Sequence, residues 1–586
     1  SKYDAFIDIV LEELEENGDA DAISEGITIH TTLQPKAQEK VEETLNSDIF
    51  PTEDIQAGVA VIDTKTGAVV AAGGGRNYGV DRGYNHAHDM KERSPGSTIK
   101  PLIDYGPAVE FLDWSPAQTI VDEDIKYTGT DQVIRNADNK YLGAMTMREA
   151  LYKSRNTTAV KTLKEVGTKN AREFISRFGV DIGTVNEAYA IGGISKFMSP
   201  IQLAGAYAAF GNNGNHTEPY AINKIVYRDG KTEKNYKPES KTVMKDSTAY
   251  IITDVLRDVL TKGTGKAAAI SGLDVAGKSG TSNFSGDKKG VPDVWFAGYT
   301  TNYSVTVWSG YDDNSAITTA EERSLPQRIF KEIMGSISEG QKTERFKKPN
   351  SVVEVTVERG SNPLKLASEY TPENMKLTEL FVKGTEPKQV SEEYDQLELN
   401  APTNLSVQYD EITSSATLDW DFEGPEGEED VNVQFEVAVA IDNGPSEILQ
   451  TTDKTGLIVQ ALTPGKKYLF TVTAIAEDVR SESASVELVL EGIEEEDLES
   501  PDSEEEKPED TEGENENQPG NNGNNGNGNN GNNGNNGNGN NNGNGNNNGN
   551  SGGNGGNNDG GQEDGGTDGE NPEEIPEDGR ETGSTP

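Results

Sequence analysis

Arg93-Ser-Pro-Gly-Ser-Thr-Ile-Lys-Pro101 decides how this chain is read. Within it, Ser97 and Lys100 stand three apart. A helix that begins after Pro95-Gly96 puts Ser97 at its N-terminus and Lys100 one turn on, on the same face. The lysine amine then reaches the serine hydroxyl. A serine hydroxyl is a weak nucleophile at neutral pH until an adjacent base takes its proton. A desolvated, neutral lysine is such a base. The helix N-terminus also favours negative charge developing nearby. Read alone, the pattern equally describes an exposed cap beside a surface lysine.

Two later clusters make the chemical reading the stronger one. Met147-Arg-Glu-Ala-Leu-Tyr-Lys-Ser-Arg-Asn-Thr-Thr-Ala159 carries the triplet Ser154-Arg155-Asn156. A helix ending near Lys153 places that triplet on the following loop. Ser154 offers a hydroxyl that both donates and accepts, as a proton relay needs. Asn156 offers an amide donor and acceptor, as holding a peptide needs. After Val275-Ala-Gly277 comes Lys278-Ser279-Gly280-Thr281. On a strand, Lys278 and Gly280 share one face and present a cation and bare backbone to a cleft. Gly280 permits close approach of a substrate chain. Ser279 and Thr281 could hold a carboxylate, and the Thr281 N–H could donate to an oxyanion.

Outward from these clusters, the chain alternates helical and strand patterns. A helix is expected over 3–16, a strand over 27–32 and a second helix over 35–45. Val59-Ala-Val-Ile62 and Ala68-Val-Val-Ala-Ala72 flank a five-residue turn that ends in Gly67 and predict a hairpin. Helices are expected through much of 98–210. Strands return at 294–299 and 304–311, each with a tryptophan. An antiparallel sheet with helices in the middle of the sequence is an α+β architecture. Beyond it, Leu405-Ser-Val-Gln-Tyr409, Ala416-Thr-Leu-Asp-Trp420, Phe435-Glu-Val-Ala-Val439 and Tyr468-Leu-Phe-Thr-Val-Thr-Ala474 alternate as strands of one sandwich. Residues 494–586 hold 24 acids against 2 bases and an Asn-Gly tract. They cannot bury enough apolar surface to order themselves, so a disordered tail is expected.

Composition narrows the function. Of 586 residues, 101 are Asp or Glu and 52 are Lys or Arg, a net charge of −49. Nucleic acid is therefore not an expected partner. Cysteine is absent, which removes disulfides and thiol chemistry. Four histidines argue against a rich metal site. The first residue is Ser, and no apolar run is long enough to span a bilayer. A piece of a longer chain is expected, with any membrane contact made through a preceding part.

Taken together, the three clusters match the Ser-x-x-Lys, Ser-Asp-Asn and Lys-Thr-Gly set of β-lactamases and penicillin-binding proteins. Arg155 and Ser279 are the two departures, and neither removes a proposed role. Gly26-Ile-Thr-Ile-His-Thr-Thr-Leu33, Ala190-Ile-Gly-Gly193, Ser199-Pro-Ile-Gln-Leu-Ala-Gly-Ala-Tyr-Ala-Ala-Phe210 and Asp293-Val-Trp-Phe-Ala-Gly-Tyr-Thr300 extend the likeness. Over about residues 1–390 the chain resembles the transpeptidase half of class A penicillin-binding proteins of Bacillus type. Trp420 and Leu462-Thr-Pro-Gly-Lys-Lys-Tyr468 resemble a fibronectin type III module, with the tyrosine closing a corner beside the Pro-Gly turn.

The resemblance implies a serine β-lactamase/D,D-transpeptidase-like antiparallel sheet flanked by helices, an all-β sandwich and a disordered tail. The domains implied are a linker from a missing glycosyltransferase half (1–50), a transpeptidase (51–345), an extension (346–400), the sandwich (401–492) and the tail (493–586). It also implies a D,D-transpeptidase of peptidoglycan stem peptides that β-lactams inhibit. By position, Ser97 is the nucleophile and Lys100 its base. Ser154 and Lys278 relay the proton, Asn156 holds the donor peptide, Ser279 and Thr281 bind the terminal carboxylate, and Gly280 is a substrate-binding position through close approach of the substrate chain. No metal or organic cofactor is implied. The implied place is the extracytoplasmic face of the membrane, with anchoring by a missing N-terminal helix. Cell-division or elongation proteins are implied as possible partners of the parent. A D-Ala-D-Ala carboxypeptidase and a penicillin-binding wall protein without turnover are the alternatives.

Overall fold

Phe296, Ala297, Val305, Val307 and their neighbours are apolar or small on both sides of their strands. Such continuous runs suit strands covered on both faces. The computed structural model describes residues 2–79, 83–286, 288–394, 398–425 and 431–492. In it, Asp293–Tyr299 and Tyr303–Gly310 are buried along their whole length. They form the centre of a five-stranded antiparallel sheet. Its order is Ala276–Thr281, Asp293–Tyr299, Tyr303–Gly310, Gln56–Asp63, Val69–Gly73. One face meets the helix Ala320–Ser338, where Phe296 packs edge-on against Phe330 at 4.8 Å. The other meets Pro200–Gly211, whose Ala204 carbonyl accepts from Ser304 Oγ at 2.7 Å. That helix is apolar almost all round, as a buried helix is. A Ser199–Gln202 capping box starts it.

The hairpin, the helices near the start and the two tryptophan strands all form as expected. Asp4–Glu16 and Pro35–Leu45 lie within the segment read as a linker, yet both pack into the body. Phe6, Ile9, Val10 and Leu14 join Ala60, Ile62, Val69 and Ala72 in one cluster, and Val41 and Leu45 join the main core. Within 98–210 the helices are interrupted by a strand pair, Thr119–Asp122 with Gly143–Thr146. Four-residue strands separated by a long loop leave no readable alternation. A further pair, Val352–Glu358 with Lys376–Val382, is tied to the helical part by Arg148, which reaches Glu379, Asp254 and Asp258.

The sandwich has sheets of three and four strands. The first is ordered Thr403–Asp410, Ser415–Asp421, Gly456–Val459; the second is ordered Ser446–Thr452, Gln434–Ile441, Lys467–Ala476, Val479–Val489. Trp420 packs on Phe435 at 5.5 Å in its core. Tyr468 closes its corner as expected: its hydroxyl accepts from Thr463 N at 2.8 Å. The tail expected to be disordered lies outside the described residues.

Candidate active site

Ser97 does not start a regular helix. Gly96–Ile99 is a 3₁₀ turn, Pro101–Tyr105 a π turn, and Gly106–Leu112 an α-helix. Pro101 has no N–H to continue an i→i−4 ladder, which accounts for the change of pitch. The tighter first turn serves the chemistry, because side chains three apart eclipse in a 3₁₀ helix. Ser97 and Lys100 stand three apart across it, but the Lys100 amine, expected to reach the Ser97 hydroxyl, is hydrogen-bonded to Ser154, Arg155 and Asn156 instead. Ser97 is partly exposed, whereas Lys100 and Lys278 are both 0% exposed.

The serine turn lies directly on the edge strand Ala276–Thr281. A Cβ on Gly96 would sit 2.3 Å from Thr281 O, and one on Gly280 would sit 2.7 Å from Pro95 O. Gly280 thus faces the serine turn, and its missing side chain lets strand and turn touch. That is a different reason for glycine from the close approach of substrate expected above. Ser282 N donates to Asp293 O at 3.2 Å. Alternation along an antiparallel edge strand then turns the Thr281 N–H outward, beside Ser97.

Ser154 joins the two lysines. Its Oγ accepts from Lys278 Nζ at 2.8 Å and lies 3.3 Å from Lys100 Nζ. Lys100 Nζ also donates to Ser154 O at 2.9 Å, Arg155 O at 3.0 Å and Asn156 Oδ1 at 2.8 Å. Lys278 Nζ also reaches Ser279 O at 2.9 Å. Burial pushes the Lys100 amine down to about 7, with the Arg155 charge acting in the same direction and Asp104 opposing. Burial, reinforced by the charge of Lys100, holds Lys278 well below the usual lysine range. Asp104 is buried with neither oxygen hydrogen-bonded, and burial pushes its carboxyl well up.

Ser154 occupies a left-handed backbone conformation, φ 55°. It follows the helix Met147–Tyr152 where glycine is the usual residue. A hydroxyl kept there at a cost of about 1–2 kcal/mol marks a position held for something other than stability. The loop is locked from behind. Arg155 turns away from the cleft to Asp122 (2.8 Å), Asp138 (2.9 Å) and Lys140 O (2.6 Å). Asn136 Oδ1 accepts from Asn156 N at 2.7 Å, and Asn156 Nδ2 donates to Arg135 O at 2.8 Å. Asp122, at the end of a four-residue strand, and Asn136 and Asp138, in the loop after it, escaped the sequence reading because ordinary polar residues there carry no motif.

The serine turn is braced too. Trp295 Nε1 donates to Ser94 O at 2.9 Å, and Arg93 reaches Asp293 and Tyr311 O. Among the described residues, one trio of metal-ligating groups converges: Glu12, His88 and Asp89. His88 Nδ1 lies 2.7 Å from Glu12 and 3.0 Å from Asp89. Burial opposes its charge, but the Asp89 hydrogen bond and the Glu12 charge outweigh it and raise the imidazole above its ordinary value.

A serine turn laid against an edge strand, with two buried lysines meeting at a second serine, is an arrangement that suits acyl transfer through a serine. Residues 57–335 match the penicillin-binding protein transpeptidase domain. Residues 348–396 match the penicillin-binding protein 1A C-terminal domain, and 403–485 the PBP1-like fibronectin3-like domain. The chain carries the transpeptidase, C-terminal and fibronectin3-like domains of penicillin-binding proteins. It is 40% identical over 504 residues to penicillin-binding protein 1A/1B of Bacillus subtilis (strain 168), covering 83% of this chain and 54% of that one. It is 33% identical to penicillin-binding protein 1A of Streptococcus pneumoniae (strain ATCC BAA-255 / R6), covering 60% and 52%. The chain thus spans about half the length of the curated relatives it matches. Its fold resembles penicillin-binding protein 1A of Haemophilus influenzae, with TM-score 0.55, 19% identity and 66% and 77% of the two chains covered. It also resembles PonA1 of Mycobacterium tuberculosis, solved in complex with penicillin V, with TM-score 0.53, 23% identity and 59% and 95% covered.

Proposed function

We propose that this chain is a serine D,D-transpeptidase. It cross-links peptidoglycan stem peptides through an acyl-enzyme on Ser97, at the extracytoplasmic face of the membrane, and β-lactams acylate the same serine. Lys100 takes the Ser97 proton as Oγ attacks the carbonyl between the two terminal D-Ala residues. The oxyanion forms between the N–H groups of Ser97 and Thr281, each worth on the order of 3 kcal/mol. Lys278 and Ser154 pass a proton to the leaving D-Ala amine, and the C–N bond breaks. An amine of a neighbouring stem then displaces Ser97 and forms the cross-link. Asn156 orients the donor peptide, and Ser279 and Thr281 take its terminal carboxylate.

The observation that carries this reading is the Ser154 hydroxyl set between two buried lysines, 2.8 Å from one and 3.3 Å from the other. That is a proton path, and such a costly arrangement has no packing purpose. Ser97 Oγ has no hydrogen-bond partner among the described residues. Unliganded sites often tighten only with substrate.

Intact-protein mass spectrometry after incubation with a penicillin tests the proposal, with Ser97→Ala alongside. A persistent adduct of one equivalent on Ser97, absent from the variant, is expected. Rapid loss of the adduct with penicillin turnover would make the chain a β-lactamase. No adduct on folded protein would overturn the assignment.

A further inference from the structure

Ser279 stands where the family pattern has threonine. A threonine is stiff at χ1 because of its second Cβ substituent, whereas a serine hydroxyl is free to take three rotamers. Something else must aim it. The Ser279 hydroxyl lies 2.7 Å from Thr264 Oγ1. Thr264 stands in the turn after the helix Asp246–Thr261, and its carbonyl accepts from Gln327 Nε2 at 2.9 Å. Its neighbours leave it no slack. A Cβ on Gly263 would sit 2.2 Å from Tyr152 O, and one on Gly265 would sit 2.9 Å from a Val259 methyl. The turn is thus wedged between the segment leading to Ser154 and the helix behind the lysine strand.

We infer that Thr264 is a positioning residue for the carboxylate subsite, fixing the Ser279 hydroxyl in the rotamer that donates to the substrate carboxylate. Either hydroxyl can donate in the free enzyme. With a carboxylate bound, Ser279 gives its proton to the anion and accepts from Thr264. The chain Thr264 O–H to Ser279 O–H to carboxylate is polarised in one direction, and each bond strengthens the next. This inference rests on the reading of Ser279 as a carboxylate ligand.

The test is the ratio of Ser97 acylation rates for benzylpenicillin and for its methyl ester, which lacks the carboxylate charge. Both rates come from intact mass against time on the same preparation, so inactive protein cancels. In wild type the acid should react faster. Thr264→Val should lower the acid-to-ester ratio about fivefold, and Thr264→Ser should restore it. With Ser279→Thr in place, Thr264→Val should change the ratio little. If the valine variant does not fold, Thr264→Ala gives the same comparison. A purely structural role would slow both reactions and leave the ratio alone, and that result overturns the inference. So would an equal fall in the Ser279→Thr background, because Thr264 would then be acting on the carboxylate itself. A wild-type ratio near one would overturn the carboxylate reading beneath it.

Discussion

The transpeptidase body and the sandwich bury opposite kinds of side chain. Around Ser97, the buried set includes Lys100, Lys278, Asp104, Asp122 and Arg155. In the sandwich it is Leu418, Trp420, Phe435, Val437, Phe470 and Val472; the buried polar residues described there are Thr452 and Thr473, neither ionisable. Burying an ionisable group costs several kcal/mol unless it is paired or neutral. The sandwich follows the ordinary rule of apolar burial. The cleft breaks it repeatedly and must be held in place by the Arg155 clamp and the Trp295 brace. The sandwich leaves one buried polar atom unpartnered, Trp420 Nε1, but no carboxylate, lysine or arginine among its described residues is buried. Buried charge-bearing groups concentrated in one region separate machinery from scaffold.

Ser154→Gly should give the largest effect and sharpen this contrast. Glycine suits the left-handed backbone, a gain of about 1–2 kcal/mol, which the lost hydrogen bond to the buried Lys278 offsets, so stability should change by less than about 1 kcal/mol. The relay hydroxyl is lost, so acylation by penicillin should slow by roughly 10²–10⁴-fold. Denaturant unfolding and acylation kinetics on one preparation check both halves. A variant that loses stability along with activity would mean that Ser154 is a packing residue. In the sandwich the opposite is expected. Trp420→Ala empties a core site and should cost the module about 3–5 kcal/mol, while Ser97 acylation keeps its wild-type rate. Slowed acylation would break the division between the two regions.

The sequence showed the sandwich through alternation and the catalytic side chains through three short motifs. The alternating strands of 405–474 formed with a residue or two added at their ends, because period-2 burial is written locally. Ser97, Lys100, Ser154 and Lys278 were legible because the chemistry proposed for them demands fixed residue types at short spacing. What supports them was not. Asp122 and Asp138 lie 33 and 17 residues from Arg155, and Thr264 lies 15 from Ser279. Their partnerships depend on tertiary contact, which leaves no periodic trace. The pitch change from 3₁₀ to π after Ser97 was hidden for another reason. The sequence reading starts one regular helix after Pro95-Gly96, and only the packed structure shows a 3₁₀ turn at Ser97 followed by a π turn from Pro101.

The smallest effect concerns Asp104, the other costly group in the cleft. In the proposed mechanism acylation requires neutral Lys100, whose amine burial brings down to about 7. Below that pH the lysine is protonated, so the rate constant should fall about tenfold per pH unit. Above it, the rate should level off. An ionised Asp104 would favour the ammonium and keep this inflection higher. Its carboxyl is buried without a hydrogen bond and pushed well up, and its charge is what opposes the fall of the Lys100 amine. Asp104→Asn removes that charge and keeps the shape. The inflection should therefore move down, by up to about one pH unit, as read from penicillin acylation between pH 5 and 9. An unmoved inflection would show that Asp104 is neutral, and the cleft would then contain two neutral groups in place of a buried ion pair.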